Sequence, residues 1–342
     1  MRKFLLIISL LSGAMSLSPL RAQDPQFSQF YAAPLYLNPA FAGSSELSRA
    51  GLNFRSQWPS LEANFTTVSA YFDHFFEDYN SGVGVIVNGD REGLSGLQSI
   101  SAGLQYSYRL QVTDWLTVRP GAEVAFYNRD LNFDKLIFGD QLNESGLISD
   151  LTGEPLNTGL SRSFVDLSLG GLVYSENFFL GYAAHHVNTP NQSLVEEESP
   201  LAMKHSVHGG YRFLLPTGFR QFGFNKDGKE RSMTPTFQYK RQGNFDQLDV
   251  GAYLTYEPVV FGLWYRGLPV SQLRDLPNSE SIIALVGLVL KDLNIGYSFD
   301  YTISGLGIQS GGAHEISIAY HFSLRDPSKP PRSIMRLPCP KF

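Results

Sequence analysis

Between residues 50 and 323 the chain breaks into fourteen short stretches, each about ten residues long, in which apolar and polar side chains alternate. In the clearest, 293–303, Leu293, Ile295, Tyr297, Phe299, Tyr301 and Ile303 share one face and Asn294, Gly296, Ser298, Asp300 and Thr302 the other. Successive side chains of a strand point to opposite sides, so one face suits hydrocarbon and the other water. The pattern, ending on the aromatic residue Phe322, predicts an all-β chain: a transmembrane antiparallel β-barrel of about 14 strands.

The strands are expected at 50–58, 65–76, 82–88, 97–110, 115–127, 164–174, 178–187, 204–214, 234–241, 246–256, 259–266, 282–290, 293–302 and 313–323. Tight connections at 77–80, 112–114, 175–177, 257–258 and 291–292 alternate with longer ones at 88–96, 128–162, 188–203, 267–281 and 303–312. Short periplasmic turns and long outward loops give that asymmetry. Two connections break the rule: 215–233 is long where a turn is expected, and 242–245 is short where a loop is.

Composition removes the other classes. With 17% charged and 13% aromatic residues, the chain is too polar for a helical membrane protein, and no apolar run beyond the first twenty residues reaches the length of a spanning helix. A net charge of −5 with no basic stripe excludes a nucleic-acid partner. The single cysteine, Cys339, excludes an internal disulfide. A soluble β-sandwich also has alternating strands, but its core would not accept the charges carried by the polar faces here. Arg55, Asp73, Arg109, Arg119, Glu123, Asp166, Arg212, Lys240, Asp249, Asp300 and Glu315 are the candidate lumen residues, with both signs present to pair across the interior. Only 282–290 is apolar on both faces, and it is expected to pack a plug on its inner side.

Outside the strands, residues 1–22 read as a signal peptide. Arg2 and Lys3 precede an apolar run at 4–11, and Leu20-Arg21-Ala22 ends in a small residue. Residues 23–49 form an N-terminal periplasmic, plug-like segment. Prolines 25, 34 and 39 rule out a long helix or a central strand there, and its aromatics need cover, which the barrel's periplasmic mouth would supply. The barrel is assigned to 50–323 and a periplasmic tail, rich in proline and basic residues, to 324–342.

Catalytic patterns are missing. Neither a GxSxG elbow nor an HExxH pair occurs. His185 and His186 are adjacent and, within a strand, would face opposite ways, while His205 and His208 are likewise separated. No ligand set has metal-binding spacing, so the sequence points to no enzyme, metal or cofactor.

The opening QDPQFSQFYAAPLYLNPAFAGS (23–44), with FFLGYAAHHVNTPNQ (178–192), GLWYRG (262–267), GGAHEISIAYHF (311–322) and the ending RLPCPKF (336–342), resembles the PorP/SprF family, outer-membrane proteins of the type IX secretion system and gliding motility of Bacteroidetes. The resemblance covers essentially the whole mature chain. It implies a non-catalytic barrel in the outer membrane, in contact with membrane lipid. Its implied partners are type IX secretion system components, a secreted adhesin-like cargo with a C-terminal targeting domain, or a peptidoglycan-binding lipoprotein. Candidate partner-binding residues are Phe138, Gly139, Asp140, Gln141 and Leu142 in the longest connection; Phe27, Phe30, Tyr31, Asn38 and Pro39 in the N-terminal segment; and Arg336, Cys339 and Phe342 in the tail. The alternative is a FadL-like outer-membrane transporter of hydrophobic small molecules.

Overall fold

In a computed structural model the described residues are 24–45, 47–93, 96–131, 136, 138–143, 146–149, 153, 160–194, 198–215, 229–267, 279–305, 307–324 and 337–340. The expected signal peptide, 1–22, lies outside them. Fourteen strands form the ring: β1 (Ser48–Gln57), β2 (Phe65–Phe76), β3 (Ser81–Glu92), β4 (Leu97–Tyr108), β5 (Leu116–Leu131), β6 (Leu160–Tyr174), β7 (Phe178–His185), β8 (Lys204–Tyr211), β9 (Arg231–Gln242), β10 (Phe245–Tyr256), β11 (Val259–Gly267), β12 (Ser279–Val289), β13 (Leu293–Thr302) and β14 (Ala313–Phe322). Leu110–Thr113 and Phe213–Leu214 continue β4 and β8 at the turn end. Each strand pairs antiparallel with its sequence neighbours, and β1 pairs with β14 from Ser48↔Phe322 to Gln57↔Ala313, so no edge is left open. Closure satisfies the ladder hydrogen bonds that hydrocarbon cannot.

The faces follow the alternation. Outward, Leu52, Leu104, Val124, Leu263 and Ile318 are exposed to the surroundings, and Tyr108, Trp115, Phe213, Tyr256 and Tyr320 ring the turn end, where aromatic side chains favour a membrane interface. Inward, Asn294, Ser298, Asp300 and Thr302 of β13 are all buried.

Several boundaries differ from expectation. The connection read as 128–162 is shorter, because β5 runs on to Leu131 and β6 starts at Leu160, paired in continuous register. Polar residues such as Asn128, Arg129 and Ser161 lie there on strands that rise beyond the apolar band, so the hydrophobic pattern ends before the ladder does. The 88–96 connection shortens for the same reason, β3 continuing to Glu92. The turn-end connection is 215–230, of which 216–228 lie outside the described residues, and the brief loop-end connection is a two-residue hairpin, with Gly243 at φ +58 supplying the left-handed geometry such a turn requires.

Candidate functional site

Nearly every inward-facing strand surface meets one partner, the N-terminal segment 24–44. It contains a single α-turn, Pro34–Leu37, and a 3-10 turn, Pro39–Phe41, each begun at a proline that needs no hydrogen bond there. Asp24 lies beside Gln242 and Lys204 at the loop end of the ring, and Gly43 beside Asp73 and Gly82 at the turn end. The segment therefore runs through the barrel from one end to the other, rather than resting in one mouth.

Four polar stations hold it. Near the loop end, the Asp24 carboxylate pairs with His186 Nε2 at 2.7 Å and Lys204 Nζ at 2.6 Å, while its backbone N–H donates to Gln242. His186 Nδ1 faces Asp166 at 3.0 Å, so the ring bridges two carboxylates, which only the imidazolium can do with both nitrogens. Burial alone would depress the His186 pKa, but Asp24 and Asp166 raise it to about 9. Burial would raise the Asp24 carboxyl, yet His186 and Lys204 hold it well below the usual carboxylate range.

At mid-depth, Ser28 Oγ accepts from Arg55 (2.7 Å) and Arg266 (3.0 Å) and donates to Asp300 (2.6 Å). Arg55 pairs with Asp300 and Glu315, and Arg266 with Asp249 and Asp300. The Glu315 carboxylate also takes the backbone N–H groups of Ser28 and Gln29, at 2.7 and 2.9 Å. Five buried charges from five strands thus converge on two residues of the segment. Buried ions are tolerated only when paired and hydrogen-bonded, as these are.

Below this, Asn38 donates to the carbonyls of Gly171 and Tyr182 and lies 3.3 Å from His208 Nε2, whose ring stacks on Phe41. Near the turn end, the Ala42 carbonyl accepts from Ser107 and Arg119, and Gly43 N–H donates to Asp73, itself paired with Arg49. Between stations, Phe30, Tyr31, Leu35 and Phe41 share one buried cluster with Leu172, Phe179, Tyr253, Trp264, Ile283 and Leu285. Ile283 and Leu285, on the inner face of β12, belong to that cluster. Close approach needs bare backbone at two points: a Cβ on Gly121 would lie 2.5 Å from Ala40 N and Cα, and one on Gly82 would lie 1.9 Å from the Ala42 carbonyl oxygen.

Of the candidate partner residues, Phe27, Phe30, Tyr31, Asn38 and Pro39 are buried within the ring. Phe138–Leu142 lies in the loop-end 132–159 connection, where 139–141 form a 3-10 turn; Gln141 is buried, and Gly139, Asp140 and Leu142 are exposed. Cys339 is half-buried at the turn end, and Arg336 and Phe342 lie outside the described residues. The three groups do not meet in one place. One expectation is corrected: His185 and His186 do not face opposite ways, since β7 ends at His185 and His186 turns left-handed (φ +58), bringing both rings inside, 6.3 Å apart. Alternation holds only while the backbone stays extended. Among the expected lumen charges, Arg55, Asp73, Arg119, Asp166, Asp249, Asp300 and Glu315 are buried.

Arg266, Asp24, Ser28 and Lys204 escaped the sequence reading. Arg266 was detectable, since it continues the inward phase of Val260, Gly262 and Trp264. Asp24 and Ser28 sit in a proline-broken segment with no period to place them. Among the described residues no helix is long and apolar enough to cross a membrane, and no group of His, Cys, Asp or Glu could hold a metal ion.

A closed, antiparallel, 14-stranded ring, apolar outside and charged within, is a β-barrel of the outer-membrane type. The chain belongs to the PorP/SprF family, matching over residues 20–320 the family described as type IX secretion system membrane protein PorP/SprF. No curated protein matches it. Solved structures similar to it include the Acinetobacter baumannii outer membrane protein Omp33 (9% identity, TM-score 0.43, 82% of this chain and 100% of that chain covered). The P. putida toluene transporter TodX is also similar (11%, 0.47, 84% and 93%), as is a Pseudomonas aeruginosa FadL homologue (12%, 0.43, 85% and 94%).

Proposed function

We propose that the chain is a non-enzymatic outer-membrane component of the type IX secretion and gliding machinery that acts on partner proteins at its two ends. Its role there is to assist secretion or surface attachment of an adhesin-like cargo bearing a C-terminal targeting domain, or to anchor periplasmic components such as a peptidoglycan-binding lipoprotein. The observation that carries this reading is the occupied interior. Residues 24–44 act as a plug, fixed by four polar stations and an apolar cluster, which favours work at the rims over passage through the middle. The outward connection 132–159, with Phe138, Gly139, Asp140, Gln141 and Leu142, is the grip for a secreted partner, since loops of this length are commonly functional.

Affinity capture from an outer-membrane extract, with tagged full-length protein and with a variant lacking 132–159, tests the proposal. Secretion components or a secreted polypeptide should be recovered with the former, and the cargo should be lost with the latter. Recovery of neither from full-length protein would overturn it. The transporter reading is weaker, because the apolar inner face of β12 is spent on Phe30 and its neighbours. Uptake of a labelled fatty acid by liposomes carrying the intact protein would reverse that order.

A further inference from the structure

Leu324 follows β14 at the turn end, and the next described residues, Leu337, Pro338, Cys339 and Pro340, are seated back inside that mouth. Leu337 and Cys339 pack against the buried cluster that holds Tyr31 and Phe41, and Pro338 is itself buried. The twelve residues between them, 325–336, can span up to about 40 Å.

We propose that the turn-end mouth is a docking site for an extended peptide, and that its occupant is this chain's own C-terminal tail, a second and releasable seal beneath the N-terminal plug. This goes beyond action at the rims by naming the segment that covers one of them. Two observations separate this seal from the plug. The plug is tied by hydrogen bonds at four levels, charged at three of them, whereas the tail sits by apolar contact and two of its four seated residues are prolines with no N–H to donate. The seat is also shallow: Leu337, Cys339 and Pro340 stay half-buried, beside a cavity of about 540 Å³ that opens to the mouth and is lined by Tyr31, Pro34, Arg49, Val289 and Asn294. Half-buried apolar side chains lose less transfer free energy on leaving than the fully buried side chains of the plug do. A tethered tail rebinds at high effective concentration, which keeps the mouth shut until a competing peptide arrives.

Cys339, the only cysteine, reports the state of the tail. Burial raises its pKa well above the ordinary thiol value, with Arg49 offsetting part of the shift, which further slows a free-thiol reaction. In detergent-solubilised full-length protein, verified as folded by its heat-modifiable gel mobility, maleimide labelling of Cys339 should be at least about tenfold slower than after denaturation. Leu337→Asp, on the tail itself, should bring the folded rate close to the denatured one. Equal rates in folded and denatured wild type, or a folded rate untouched by Leu337→Asp, would overturn the proposal. Independently, protein truncated after Leu324 should bind a synthetic peptide of residues 325–342 saturably, and the same peptide carrying Leu337→Asp at least about tenfold more weakly. Absence of saturable binding would also sink it. None of these outcomes bears on whether the barrel serves secretion, so the two readings fail separately.

Discussion

At the scale of single residues, Ser28 is the point where the plug meets the charged interior. Its hydroxyl satisfies two guanidinium groups and one carboxylate, so Ser28→Ala leaves charged groups short of a partner in a buried site. The expected cost is about 1–3 kcal/mol, seen as a lower thermal unfolding midpoint in detergent. An unchanged midpoint would deny the hydroxyl this role. The Asp24–His186 contact is pH-sensitive. His186 has a folded pKa of about 9, above the usual 6.5, so its contribution is complete below 6.5 and fades as pH rises through about 9. Asp24 is depressed, so its contribution is present above about 4 and is lost only as pH falls through its lowered value. Hydrogen exchange of residues 24–31 should therefore quicken between pH 6.5 and 9 in wild type beyond its intrinsic rise, and His186→Gln should abolish that excess.

Among the elements, β12 is informative because its neighbours Ile282 and Ile283 differ only in direction. Ile283 is buried against the plug cluster and Ile282 faces outward. Ile283→Ala should cost about 2–5 kcal/mol through the cavity it opens, and Ile282→Ala much less, because lipid or detergent fills the space. Comparable losses in unfolding midpoint would mean that the inner face is not packed as described. The plug depends equally on what β5 lacks at one position. Gly121→Val places side-chain atoms into Ala40 backbone, so the segment must shift, and protease should cut within 24–44 in folded variant but not in folded wild type.

For the whole molecule, residues 24–44 and the ring pack together through one buried cluster among the described residues. Removing 24–44 takes away every contact the segment makes at the four stations and leaves the strands' own ion pairs, such as Arg55–Asp300 and Arg266–Asp249, facing an emptied interior. Such a barrel should conduct ions in a planar bilayer where the intact protein is silent. Equal conductance in both would place the plug outside the permeation route.

Alternation in the sequence was enough to determine strand number, direction and the inward or outward sense of residues such as Asn294 and Asp300, because hydrocarbon and water impose their demands residue by residue along each strand. It also placed Arg55 and Glu315 on one inner surface, but not against Ser28. Only the tertiary structure decided that, since a periodic pattern states which face a side chain takes and says nothing of what fills the space in front of it. His186 shows the same limit at one residue: a single left-handed φ ends the period and turns a side chain back to the inside. The path of the plug, from Asp24 at the loop end to Gly43 at the turn end, depends on contacts between residues as far apart as Gln29 and Glu315, which no local signal encodes.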